Sequence, residues 1–409
     1  MKGLKVSLVI MAAALLTVGI SGMAYAFHSG GVAECSGCHS MHTPKAGGTF
    51  LLVGTDQSSA CLTCHMHPGD TGPSSYHVMT ADADMPAGTP PKQRTPGGDF
   101  GWLKKTYTFT VRGTATTEDG ATHGHNVISA DYGYIVDPLN ATAPGGSFPS
   151  AQLGCQSCHD PHGQYRRLSD NTIAKTGAPI IGAGSYNNSL IPAAGQAVGV
   201  YRLLAGLGYT KDGVTFTGVP AAVAPSSYNR TEAATQTRVA YGYATTGGHV
   251  AWGTWCATCH GEMHSSGNYV HPVDETLGST VAANYKAYVK SGDMTGDGTN
   301  GFLSLVPFTE NTADYATLAS HAVNNDSVLT GPGTSDRVDC MSCHRAHASD
   351  FPFMLRWSME NEFLTKNSVY QTTERGRTTA EAEAGYYDRP TTVFASYQRV
   401  LCNKCHAKD

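Results

Sequence analysis

Apolar residues in this chain gather into a few short patterned stretches, separated by long polar and glycine-rich ones. Val6 to Ile20 is almost wholly apolar; Lys2 and Lys5 precede it and the triplet Ala24-Tyr25-Ala26 follows. A charged start, an apolar run and a small-residue site predict a secretory leader over residues 1–26, cut after Ala26. No later run is long enough to cross a bilayer as a helix. The mature chain, residues 27–409, is therefore expected to form a single domain without a transmembrane segment. Tyr107-Thr108-Phe109-Thr110-Val111 alternates apolar and polar, the period of a short strand. Val281 to Lys290 has helical spacing, with Tyr285, Tyr288 and Val289 on one face and Gly292 as a stop. Thr378 to Tyr387 predicts another helix, opened by Thr378 and Glu381 at capping-box spacing. Segments 81–100, 138–152 and 174–200 are rich in Gly, Pro, Ala, Ser and Asn and are expected to be wrapping loops. The predicted fold class is mostly irregular coil with a few short α-helices and minimal β-structure.

Long coil normally argues against a compact domain, so composition must say what orders it. Charged residues are only 14% of the chain, against a usual quarter, and 47 residues are Gly. The twelve cysteines supply the answer. They form six Cys-x-x-Cys-His motifs: Cys35/Cys38-His39, Cys61/Cys64-His65, Cys155/Cys158-His159, Cys256/Cys259-His260, Cys340/Cys343-His344 and Cys402/Cys405-His406. Such a motif attaches haem through two thioethers and offers its His to the iron as proximal ligand. A disulfide framework would not require His after every second Cys, and zinc would need four ligands per site. Six covalently bound haems c are therefore expected, with the chain wrapped around them. Covering several hundred Å² of macrocycle gives on the order of 10 kcal/mol of gross burial per haem, enough to hold loops that lack secondary structure. Attachment of haem c outside the cytoplasm agrees with the leader.

Motif starts are separated by 26, 94, 101, 84 and 62 residues, which rules out a regular repeat array. One motif lies near each end of the mature chain, as a head-to-tail conductor would need.

The second axial ligand must come from the remaining histidines. Eighteen His less the six of the motifs leave twelve, twice the number needed. His42, His162 and His347 each lie three residues after a proximal His, too close to reach the far face of the same haem but able to ligate its neighbour. His77, His125 and His271 sit in loop contexts that can deliver an imidazole. These six are the favoured distal ligands; His28, His67, His264 and His321 are weaker candidates. Met41, Met66 and Met341 lie beside motifs, and a Met ligand would raise the potential. The surplus of His favours bis-His, low-spin, low-potential haems throughout. Trp252 and Trp255 flank the fourth motif and are expected to pack on haem rather than relay electrons. Asp293 to Asn300 resembles part of a calcium loop but lacks the closing Glu, so a polar turn is expected. The formal net charge is −5 before any haem propionate is counted, and no basic patch suggests nucleic acid.

Longer strings carry a resemblance. Phe27-His28-Ser-Gly-Gly-Val-Ala-Glu-Cys35, Thr71-Gly-Pro-Ser-Ser-Tyr-His77, Thr95-Pro-Gly-Gly-Asp-Phe-Gly-Trp102, Cys158-His-Asp-Pro-His-Gly163 and Cys343-His-Arg-Ala-His-Ala348 are among them. So are Val219-Pro-Ala-Ala-Val-Ala-Pro225, Thr237-Arg-Val-Ala-Tyr-Gly242 and the tail from Cys402 to Asp409. In these the chain resembles the hexahaem outer-surface, filament-forming cytochromes of metal-reducing bacteria, over essentially the whole mature sequence. The resemblance implies an extracellular head-to-tail homopolymer with a continuous line of bis-His haems. It implies that one haem takes its distal His from the next subunit, the matching residue being His42. It also implies secretion to the cell outer surface, donors among outer-membrane or periplasmic cytochromes, and extracellular metal oxides as acceptors. His123 and His249 have no counterpart in that family, and the segment between the first two motifs is shorter here. Two other readings use the same residues: a monomeric periplasmic or secreted shuttle, and a multihaem reductase. The reductase would need an iron with an open position, and every motif here ends in His.

Overall fold

The computed structural model describes residues 35–48, 50–66, 76–226, 235–264 and 271–407. The expected leader over residues 1–26, His28 and His67 lie outside them.

Regular structure is sparse among these residues. The longest helix, Gly278–Ala287, has ten residues. Strands form only two- and three-stranded sheets. The strand Tyr107–Val111 is where alternation places it, paired antiparallel with Thr114–Glu118. The helix Thr379–Gly385 is opened by Thr378 and Glu381, each side chain capping the other's backbone N–H. The other predicted helix starts and ends earlier than its apolar spacing suggests. It stops at Ala287, and Tyr288 is already extended. Tyr285 and Tyr288 are still buried, but Val289 is 50% exposed, because the face it was assigned to no longer exists beyond the last helical turn.

Loops are ordered by buried polar hubs instead of sheets. Asp99 is fully buried and accepts hydrogen bonds from the backbone N–H groups of Thr80, Gln93 and Gly101. One carboxylate thereby pins three points of the segment 80–101. Asp56 caps the helix Gln57–His65 through Ser59 N and also accepts from Ala130 N, tying the second motif to a distant loop. Asp293 and Asp297 each accept from the backbone N–H and hydroxyl two residues on, which makes the 293–300 segment the polar turn expected.

Apolar side chains gather around the motifs. Tyr165, Tyr201, Tyr241, Trp252 and Met341 share one cluster, against which Trp255 packs. Trp252 and Trp255 donate their indole N–H groups to Ala221 O and Ala205 O. A second cluster joins Tyr285, Phe351, Trp357 and Tyr386 beside the fifth and sixth motifs.

Candidate haem chain and its axial ligands

Each motif forms a short helical turn, which brings both sulfurs and the His to one side. The turn Cys340–Cys343 is typical: Asp339 caps it, and Asp339 N–H donates back to Ser342 Oγ. The motifs follow one another in space in sequence order. Burial and then the neighbouring Cys64 raise the Cys38 thiol. Cys61 hydrogen-bonds Cys155. Burial and then Cys259 raise Cys158 to about 12. Cys256 hydrogen-bonds Cys340, and burial and then Cys402 raise Cys343 to about 12. The contacts alternate. Odd-to-even steps meet through the second cysteine of the odd motif, and even-to-odd steps through the first cysteines of both.

That alternation reflects an internal repeat which the unequal spacings conceal. After the first, third and fifth motifs the chain returns to the proximal His in the same way. His39, His159 and His344 bridge antiparallel to Leu52, Leu204 and Leu355. Their Nδ1 atoms lie 3.1, 2.7 and 2.7 Å from the carbonyl oxygens of Phe50, Arg202 and Phe353. Those residues and their successors, Leu51, Leu203 and Met354, all have left-handed backbones, with φ between 50° and 62°. Such a conformation costs roughly 1–2 kcal/mol per non-Gly residue. In each unit it is offset by the Nδ1 bond and two backbone bonds, for example Arg345 N to Met354 O and Arg356 N to Cys343 O. The Nδ1 bond fixes the tautomer that leaves Nε2 free to bind a metal. The signal in the sequence is the triplet Phe50-Leu51-Leu52, Arg202-Leu203-Leu204 or Phe353-Met354-Leu355, and its offset from the His varies too much for a spacing rule to catch.

Three of the proximal histidines face a second imidazole. The ring centroids are 6.0 Å apart for His125 and His260, 6.3 Å for His159 and His347, and 6.2 Å for His271 and His406. Metal–nitrogen bonds of about 2 Å on either side, plus the distance from nitrogen to ring centre, require a separation of about that size. Burial and then the facing His260 push His125 down to about 4; burial and then His159 push His347 down to about 3. Both rings are thus neutral, with a lone pair free to bind metal. They are carried on one ladder: His347 N donates to Gly97 O, His125 N donates to His347 O, and Ala348 bridges both Gly98 and Gly124. His125 Nδ1 lies 2.8 Å from Ala346 O.

Gly98 makes this approach possible. Its φ is +91°, and a Cβ there would lie 1.7 Å from Ala348 O. Gly98→Ala should therefore destabilise the fold by more than about 1 kcal/mol and displace His347. The expected result is a lower denaturant midpoint together with a high-spin signal from one haem per chain.

No second imidazole among the described residues faces His39 or His344. His42 and His162 are exposed, and His77 is half-buried beside Tyr76, whose carbonyl lies 3.2 Å from His65 Nδ1. His264 Nε2 is 3.0 Å from Asp274 Oδ2 and His321 Nδ1 is 2.7 Å from Glu310 Oε2. His123 is fully buried with both ring nitrogens engaged, by Trp102 O and Glu118 Oε1, and His249 Nε2 lies 3.0 Å from Asn171 O. Met341 is buried in an apolar cluster and Met41 is 72% exposed.

Six helical attachment turns that follow one another in space, with three pairs of facing imidazoles and coil around them, define a multihaem c-type cytochrome. Residues 331–365, around the fifth motif, match the family described as doubled CXXCH motif. The chain is 52% identical, over the whole length of both sequences, to C-type cytochrome OmcS of Geobacter sulfurreducens. Its fold superposes with a TM-score of 0.86 on the structure of the OmcS nanowires from that bacterium, at 50% identity over 94% of this chain and all of that one. A second structure, the Outer Membrane Cytochrome S Filament, gives 0.85 with the same coverage. The chain belongs to the OmcS family of c-type cytochromes, and its cofactor is haem c, six per chain. No helix among the described residues is long and apolar enough to cross a membrane.

Proposed function

We propose that the protein is an extracellular electron conduit that polymerises head to tail, with its haems in sequence order along one line. The observation that carries this is the linear succession of six attachment motifs, with facing imidazole pairs set at the separation an intervening iron needs. Haem supplies the electron exchange. The chain sets spacing, ligation and potential. The Cys pairs fasten each macrocycle, the Nδ1 bonds of His39, His65, His159, His260 and His344 hold those rings in one tautomer, and buried aromatic clusters exclude water from the iron environment, which tunes the potential.

In this reading His260, His159 and His406 are paired with His125, His347 and His271. The internal repeat extends the assignment. His347 belongs to the fifth-motif unit and faces the proximal His of the third. By the same step His162, of the third unit, serves His39 of the first. His42, of the first unit, then has no preceding unit in its own chain, while His344 lacks a partner. A neighbouring subunit satisfies both, which agrees with the filaments formed by the relatives. His65 is left with His28, His67 or His77. His264 and His321, bound to carboxylates and facing no proximal His, are assigned structural roles. Every iron then has two axial imidazoles, so a reductase with an open coordination position is disfavoured. Electrons would arrive from outer-membrane or periplasmic cytochromes and leave to extracellular acceptors such as Fe(III) or Mn(IV) oxides. A monomeric shuttle would leave His42 and the haem of His344 without partners.

The ligand assignment is checked by paramagnetic resonance of single variants. His125→Ala and His347→Ala should each convert one low-spin ferric haem per chain to high spin. His264→Ala and His321→Ala should convert none; high-spin signal from either would overturn the assignment. Electron cryomicroscopy of the surface-purified protein tests the polymer, discrete particles being the adverse outcome.

A further inference from the structure

Beneath the ladder that carries His125 and His347 lies a buried group of acids that neither haem attachment nor ligation uses. Arg377, whose side chain is fully buried, donates through Nε to both carboxylate oxygens of Asp350 at 2.9 Å, and through Nη2 to Glu118. Glu118 also lies 2.7 Å from His123 Nε2. Glu360 completes the group, with Oε1 3.3 Å from Arg375 Nη1 and Oε2 3.9 Å from Arg377 Nη1, too far for a hydrogen bond. Glu360 Oε2 and Glu118 Oε2 are both buried and receive no hydrogen from any other residue. Tyr107 and Tyr386 close the cluster, and Glu381, itself paired with Lys105 at 3.4 Å, adds a further negative charge nearby.

Three carboxyls on one buried guanidinium, with Arg375 at the margin, cannot all be ionised cheaply in low dielectric. Arg377 Nη1, itself without a hydrogen-bond partner, stops 3.9 Å short of Glu360 Oε2, so a proton on Glu360 is what relieves the repulsion between its carboxyl and that of Glu118. We infer that the Glu360–Glu118 pair is a proton-binding site coupled to electron occupancy of the two haems held by His347 and His125. It rests on the reading of those two residues as axial ligands.

The coupling is electrostatic. Asp350 is three residues beyond His347, and Ser349 N donates to His123 O two residues before His125. Added negative charge on either haem raises the proton affinity of a nearby acid. Glu360 takes one proton from solvent for one electron delivered along the chain, and releases it when the electron moves on. Burial, and next the charge of Glu118, raise the Glu360 carboxyl to about 7. Against burial, which alone would raise it, His123 and Arg377 hold Glu118 down to about 2, so the proton resides on Glu360. Uptake on reduction makes the potentials of these haems fall as pH rises through neutrality, and leaves them flat well outside that window.

Redox-difference infrared spectroscopy and spectroelectrochemical titration of the haem-loaded protein, from about pH 5 to about pH 9 around the Glu360 value, test this. Wild type should show a protonated-carboxyl band growing on reduction and a pH-dependent fall in the potentials of two haems. Glu360→Gln should lose both; the exposed control Asp297→Asn should keep both. Glu118→Gln removes the negative neighbour and should move the window to lower pH, a second reading if Glu360→Gln fails to load haem. An unchanged band and slope in Glu360→Gln, with low-spin spectra intact, would overturn the inference alone. Failure of the ligand reading would appear separately, in His125→Ala and His347→Ala.

Discussion

Substituting His42 with alanine should leave six covalent haems in every chain and yet remove filaments from the preparation. The thioethers depend only on each Cys pair and its own His, none of which is touched. His42 is exposed, so the monomer loses little. What it loses, on the proposed assignment, is the one coordinate bond made across each subunit boundary. The haem of His344 would then be five-coordinate, with one high-spin ferric signal per chain. Its potential should rise, because an imidazole donor is gone. Added imidazole should restore the low-spin spectrum without restoring the polymer, since a free ligand fills the site but joins no chains. Filaments persisting with purely low-spin spectra would show that His42 is not the bridging ligand.

Arg377→Met carries the second large effect, on stability rather than assembly. The guanidinium is wholly enclosed and pairs with both Asp350 and Glu118, and removing one partner from a buried network costs about 3–5 kcal/mol. The deficit should depend on pH in a definite direction. Burial, despite the charge of Arg377, already raises Asp350 to about 7, and Glu360 stands at about the same value. A carboxyl raised in the folded state binds protons that the unfolded chain has released, so stability falls as pH rises from the unfolded value towards 7. Without Arg377 these acids rise further and the window widens upwards. The loss in Arg377→Met should therefore be greatest at about pH 8 and shrink towards about pH 5, where Asp350 and Glu360 are protonated in the folded state of wild type and variant alike. Denaturant titrations of wild type and variant at both values measure it. A deficit independent of pH would mean that lost packing over Tyr107, whose ring the guanidinium covers at 4.2 Å, dominates instead.

The same cluster shows why His123 was hard to weigh. It lies two residues from a favoured ligand, yet both its nitrogens are bound by protein groups. Nothing in its local sequence announces Glu118 or the Trp102 carbonyl. His347 is the opposite case. Its place three residues after a proximal His marked it as a ligand for a neighbouring haem, but which neighbour depends on Gly97 and Gly98 meeting it from far away in the chain.

What sequence alone determined is the covalent chemistry and the class of fold. Thioether attachment needs five consecutive residues, so each motif declares its haem without reference to the rest of the chain. A low charge fraction and abundant Gly then leave coil around cofactors as the architecture that buries enough surface. Capping and alternation were equally local, hence the strand at Tyr107–Val111 and the cap at Thr378 lie where the pattern puts them. The order of the motifs, the repeat hidden by loops of unequal length, the pairing of His125 with His260, and the acids around Arg377 were decided by tertiary structure. Each depends on residues remote in sequence that meet only after the loops close, and the spacing along the chain carries no record of which distances in space become short.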